Sequence, residues 1–172
     1  PILDTGLERY IELYHQWSSE EGKNGRRKVV VAYASAYGHT KRMAELIAAG
    51  AGSNPAVEVE LIDVGNAPRD QILEALDAFD ALILGSPTIN ADAVYPVWRV
   101  LESVSAITAK GKVAAVFGNY GWSGEAAGLL EERLEKMRLV VAHPAVKVRF
   151  SLTAEDEQRC LSLGRTIAEA VS

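Results

Sequence analysis

Cysteine is almost missing from this chain: Cys160 stands alone among 172 residues, so an internal disulfide is excluded and a reducing compartment is compatible. Histidine is nearly as scarce. His15, His39 and His143 fall on an expected linker helix, a loop and a strand, and form no metal-ligand cluster readable in sequence. No apolar run approaches the roughly 20 residues of a membrane span, and no basic-then-apolar start resembles a secretory signal. The expectation is a cytoplasmic protein with no membrane partner. Positive charge is not in excess either: 18 Lys and Arg face 23 Asp and Glu, a net charge of −5, which leaves no basic stripe for a nucleic-acid backbone. Two phosphate motifs are also lacking. Gly38 is followed by His39 and Thr40 rather than by the Lys-Ser/Thr of a Walker loop, so a nucleoside triphosphate is disfavoured. Only one glycine follows the first strand, against the three of a dinucleotide fingerprint, so no close backbone approach to a pyrophosphate is provided.

What is present is 48% hydrophobic sequence, enough for one domain with a sizeable core, arranged as alternating apolar runs and amphipathic segments. Strands are predicted near 28–34, 57–63, 81–85, 112–118 and 139–149, and helices near 40–50, 68–77, 94–105, 124–137 and 153–171. Five β-α units predict an α/β fold, a doubly wound five-stranded parallel sheet covered on both faces. Val29 to Ala32 and Ala81 to Leu84 are apolar without alternation, as central strands should be, whereas Val57-Glu58-Val59-Glu60-Leu61 alternates like an edge. That distribution predicts strand order 2-1-3-4-5, with a ligand crevice at the carboxyl ends of strands 1, 3 and 4. Pro144 interrupts the last strand, which also fits an edge.

The first 25 residues have another character. Thr5 to Glu8 resembles a capping box, Leu7, Tyr10, Ile11, Tyr14 and Trp17 recur at helical spacing, and Ser18 to Gly25 is polar. The expected division is a linker helix and linker over 1–25, from an upstream domain outside the chain, and a domain over 26–172.

Three loops carry the chemistry. Ser35-Ala36-Tyr37-Gly38-His39-Thr40 joins a buried strand to a helix, so free helix N–H groups and two hydroxyls can gather on a monophosphate; helix capping explains the same hydroxyls equally well. After strand 3, Gly85-Ser86-Pro87-Thr88-Ile89-Asn90 offers a stiff turn and polar groups suited to the edge of a flat heterocycle. After strand 4, Asn119-Tyr120-Gly121-Trp122-Ser123-Gly124 presents two aromatic faces among glycines. A phosphate site, a heterocycle edge and an aromatic rim together describe a flavin mononucleotide cradle.

The motifs Tyr33 to Thr40, Gly85 to Asn90 and Phe117 to Glu125 resemble the three FMN loops of the flavodoxin-like domain of flavodiiron proteins, the A-type flavoproteins, over residues 28 to 171. That resemblance implies FMN as cofactor. Ser35, Ala36, Tyr37, Gly38, His39 and Thr40 would hold its phosphate. Ser86, Pro87, Thr88, Ile89 and Asn90 would line ribityl and ring, and Asn119, Tyr120, Gly121, Trp122, Ser123 and Gly124 would meet the ring's other side. It further implies electron transfer to the diiron site of a metallo-β-lactamase-like domain outside this chain, in a parent that is a homodimer or higher, fed by a reductase or small redox protein. The ligand run of that metal domain has no counterpart here. Ala36 lacks the hydroxyl often found at its position, and Ala91-Asp92-Ala93-Val94 replaces the usual shorter continuation.

Other assignments compete. A free-standing flavodoxin-like NAD(P)H:quinone reductase would share the loops but need its own substrate pocket. A phosphoacceptor receiver would need acids where Ala34-Ser35 and Gly85-Ser86 stand. A serine hydrolase elbow misses its last glycine by one position, and Ser123 reads better as the N-cap of the next helix. Val94, Trp98, Leu101, Leu134 and Met137 are assigned to the core, Lys41 and Arg42 to a solvated face, Asp63 to a turn or a helix cap, and Cys160 to an inert helix position.

Overall fold

The computed structural model describes residues 25–172, so the helix expected from Leu7 to Trp17 lies outside the described residues. The described chain runs β1 (Arg27–Tyr33), α1 (His39–Gly52), β2 (Val57–Asp63), α2 (Arg69–Asp77), β3 (Ala81–Ile89), β4 (Asp92–Ala93), α3 (Tyr95–Ser103), β5 (Val113–Tyr120), α4 (Glu125–Lys136), β6 (Val140–Val141), β7 (Val146–Arg149) and α5 (Ala154–Val171). The sheet order is β2-β1-β3-β5-β6, with β7 also on β5 and β4 on β3. The predicted order therefore holds for the principal strands, and three details differ.

The strand predicted over 81–85 continues to Ile89 and turns back as an antiparallel hairpin, pairing Thr88 with Ala93 and Ile89 with Asp92. Asn90 and Ala91 make that turn with φ of 53° and 59°. A turn with two left-handed residues matches strand twist, but its usual signature ends in glycine, so Asn-Ala concealed it. The last strand is broken into β6 and β7, both parallel to β5, and Pro144 lies in the gap. Ser123 is not an N-cap: the cap of α4 is Gly124, with no side-chain cap bond. A Cβ at Gly124 would lie 3.2 Å from the Tyr120 ring, so that ring packs where a larger cap would stand.

Burial explains the layers. Val29, Val30, Val31 and Leu82 to Leu84 are fully buried because helices cover both faces of the sheet. One core gathers Val30, Leu82, Leu84 and Val116 beneath α2, α3 and α4; the other gathers Val31, Ile83 and Phe117 beneath α1 and α5. Leu101, Leu134 and Met137 are buried in the first core, and Val94 and Trp98 pack against it, as assigned. Each fully buried Leu, Val or Phe contributes about 1.5–3 kcal/mol. The last helix starts with a reciprocal capping box between Thr153 and Asp156. The Thr153 N–H and hydroxyl on its carboxylate hold the Asp156 pKa below its ordinary value.

Candidate functional site

Because β1, β3 and β5 are adjacent and parallel, their carboxyl ends open on one edge of the sheet. Tyr33 is level with Gly85 and Gly85 with Phe117, so the loops that follow start within about 10 Å, two strand spacings. The three predicted loops are thereby brought together.

In the first loop the chain must reverse from a buried strand into α1. Gly38 does this as N-cap with φ 87°. No atom crowds its missing Cβ, so glycine is required for conformation rather than for space. Ser35 Oγ accepts hydrogen bonds from the N–H groups of Gly38 at 3.1 Å and Lys41 at 3.3 Å, so this hydroxyl caps. The N–H groups of Ala36, Tyr37, His39 and Thr40 find no acceptor among the described residues. The first turn of α1 also holds no acidic side chain, whereas that of α5 holds Glu155, Asp156 and Glu157. The positive end of the α1 dipole is thus left for an outside anion. Thr40 is buried as a residue, yet no buried side-chain oxygen or nitrogen among the described residues lacks a partner, so its hydroxyl, which makes no side-chain hydrogen bond there, still reaches the surface of the loop. Ala36 and Tyr37 are exposed and His39 half-buried. Lys41 and Arg42 are exposed as assigned, with Arg42 bonded to Glu157 through Nε and Nη2.

The second loop is the β3–β4 hairpin. Ser86 is fully buried, and its Oγ donates to Pro87 O at 2.8 Å and accepts from Val94 N–H at 3.0 Å. These two bonds tie the hairpin to the start of α3. Pro87 is buried too, so Thr88, Ile89 and Asn90 at the hairpin end carry the accessible surface. Trp98 Nε1 donates to Asp92 and steadies the returning strand.

The third loop combines a fixed base with an open tip. Asn119 Nδ2 donates to Val148 O and Phe150 O, so its amide faces β7 rather than the crevice. Tyr120 and Gly121 are half-buried, while Trp122 is 92% exposed and Ser123 is exposed. A side chain that size, left in water between glycines, suits a stacking surface. Arg149 and Phe150, which sequence reasoning missed, back this loop: Arg149 Nε donates to Gly121 O and Phe150 N–H to Tyr120 O. Positions from a broken edge strand far along the chain gave no local signal.

Outside the rim, Asp63 holds a turn by accepting from Gly65 N–H and Asn66 Nδ2. Cys160 is buried, and desolvation pushes its thiol up to about 11, which leaves it inert as a nucleophile at neutral pH. Among the described residues no group of three His, Cys, Asp or Glu side chains could hold a metal ion, and no helix is long and apolar enough to cross a membrane.

Comparison with known proteins agrees with this geometry. Residues 31–164 match the flavodoxin family model. A type A flavoprotein of Rhodobacter capsulatus is 33% identical over 98% of this chain. A nitric oxide reductase of Moorella thermoacetica is 37% identical over 95% of it. The chain spans 40% of the length of each. The Flv1 flavodiiron core of Synechocystis superposes with a TM-score of 0.80 at 32% identity, over 97% of this chain and 41% of that one.

Proposed function

This chain belongs to the flavodoxin family, and on that premise we propose that it is an electron-transfer domain delivering electrons to a diiron oxygen or nitric oxide reductase site outside it. Its cofactor is FMN. The observation that carries the proposal is the α1 N-terminus: four N–H groups without an internal acceptor, no acid in the first turn, and Thr40 beneath them. This donor set fits a phosphate monoester.

FMN supplies one- and two-electron redox chemistry, and the protein's residues bind, orient and shield it. The N–H groups of Ala36, Tyr37, His39 and Thr40, with the Thr40 hydroxyl, would hold the phosphate. Thr88, Ile89 and Asn90 would line the ring from the second loop, and Tyr120 and Trp122 would meet it from the third. Ser35, Ser86 and Asn119 act behind them as hydrogen-bonded supports. The remaining length of the relatives is where a metallo-β-lactamase-like diiron domain would lie, and a homodimer would let the flavin rim of one subunit face the diiron site of the other.

The test is turnover at an oxygen or nitric oxide electrode with a chemical reductant. The FMN-loaded chain should show rapid final-product reduction only after a separately purified diiron domain is added or fused. Comparable turnover without that domain would favour a self-sufficient flavoenzyme.

A further inference from the structure

The end of β7 grips the third rim loop at three consecutive residues. Phe150 adopts a left-handed backbone, φ 57°, a conformation unfavourable for a bulky side chain. In that conformation its N–H donates to Tyr120 O at 2.9 Å, and its carbonyl accepts from Asn119 Nδ2 at 2.6 Å. Arg149 Nε donates to Gly121 O at 3.0 Å, and its guanidinium lies 5.2 Å from the centre of the Phe150 ring. A Cβ on Gly121 would stand 3.3 Å from that ring, so the loop backbone rests on it. These contacts do not build the core: Phe150 is 54% exposed and Arg149 is exposed. Strain and bonding are therefore concentrated on a surface loop, the one that carries Trp122.

We propose that Arg149 and Phe150, with Asn119, form a positioning clamp that presets the third loop for the isoalloxazine ring, with Arg149 acting through the Gly121 carbonyl. This rests on the FMN assignment above. The clamp removes loop freedom before binding, so less ordering is charged against affinity when the ring docks. It acts on the ring side and leaves the phosphate loop untouched.

Flavin-free wild-type chain, Arg149→Met, Arg149→Lys and Phe150→Gly are titrated with FMN and with riboflavin, and melting temperatures and bound-flavin reduction potentials are recorded. Loss of one net hydrogen bond should weaken binding about 3- to 10-fold, by the same factor for both ligands. Arg149→Lys should recover only part of it, because an ammonium lacks the planar guanidinium that fixes the Nε donor over the Phe150 ring. Phe150→Gly, relieved of its backbone strain, should melt no lower than wild type yet bind both flavins more weakly, with a shifted potential. A merely structural role would lower melting and leave the potential alone. Should Arg149→Met fail to fold, Phe150→Gly decides. Unchanged affinities in the folded variants, or weakening confined to FMN, would overturn the clamp. A wild-type chain that binds neither flavin would overturn the FMN assignment and the clamp with it, and would be seen before any variant is compared.

Discussion

Thr40 and Ser86 are the buried polar side chains of the described residues, and they use burial in opposite ways. Ser86 uses its donor and its acceptor inside the chain, while the Thr40 hydroxyl makes no side-chain hydrogen bond among the described residues and stays within reach of the surface. Replacing Thr40 with Val keeps the shape and removes the hydroxyl. FMN binding should then weaken roughly 10- to 150-fold, the equivalent of one charge-assisted hydrogen bond of about 1.5–3 kcal/mol, with riboflavin binding little changed. Fluorescence titration with both ligands checks this; equal weakening for both would show that Thr40 serves the fold. At this scale the sequence was half legible. Hydroxyls at 35, 40 and 86 mark the loops, yet whether each meets a ligand or the backbone depends on partners such as Lys41 and Val94, and those are set only by the fold. Asn119 is the clearest case, because its acceptors lie 29 and 31 residues away, in β7 and just past its end.

Among the elements, helices and central strands were legible because their periodicity is local, and connections were less so. Apolar spacing placed α1 to α5 within about two residues, the ordinary uncertainty of helix ends. The β3–β4 hairpin was hidden because Ala91 occupies a left-handed position where glycine would be expected. The crossing of α1 and α5 was hidden for another reason. A Cβ on Gly164 would lie 2.0 Å from Ile47 O, and one on Gly50 2.2 Å from Leu161 O, so the two backbones touch. Read alone, a glycine inside a helix signals only weak helix propensity. Gly164→Ala separates the effects: propensity favours alanine by about 1 kcal/mol, while forcing a methyl against backbone costs about 1–3 kcal/mol and must also displace α1. A net loss of stability should follow, seen as a lower denaturation midpoint with unchanged slope. A higher midpoint would show that the helices part without penalty.

For the whole molecule, strand order was legible from which runs alternate and which do not. Full burial of Val29 to Val31 against the exposed Glu58 of β2 is the same contrast seen in space, although Leu61, expected on the apolar face, is exposed and Ile62 is buried instead. That order alone puts the loops of β1, β3 and β5 on one rim, so the phosphate end, the hairpin and Trp122 become parts of a single site. The broken edge at β6 and β7 was foreshadowed by Pro144, but its use as support for the third loop was not. The central claim is that this rim holds FMN by its phosphate at the start of α1. Parallel titration of the flavin-free chain with FMN and riboflavin, followed by quenching of flavin fluorescence, tests it most directly. Two or more charge-assisted hydrogen bonds to the phosphate should make FMN at least about 100-fold the tighter ligand. Equal affinities for the two flavins, or no binding of either, would contradict it.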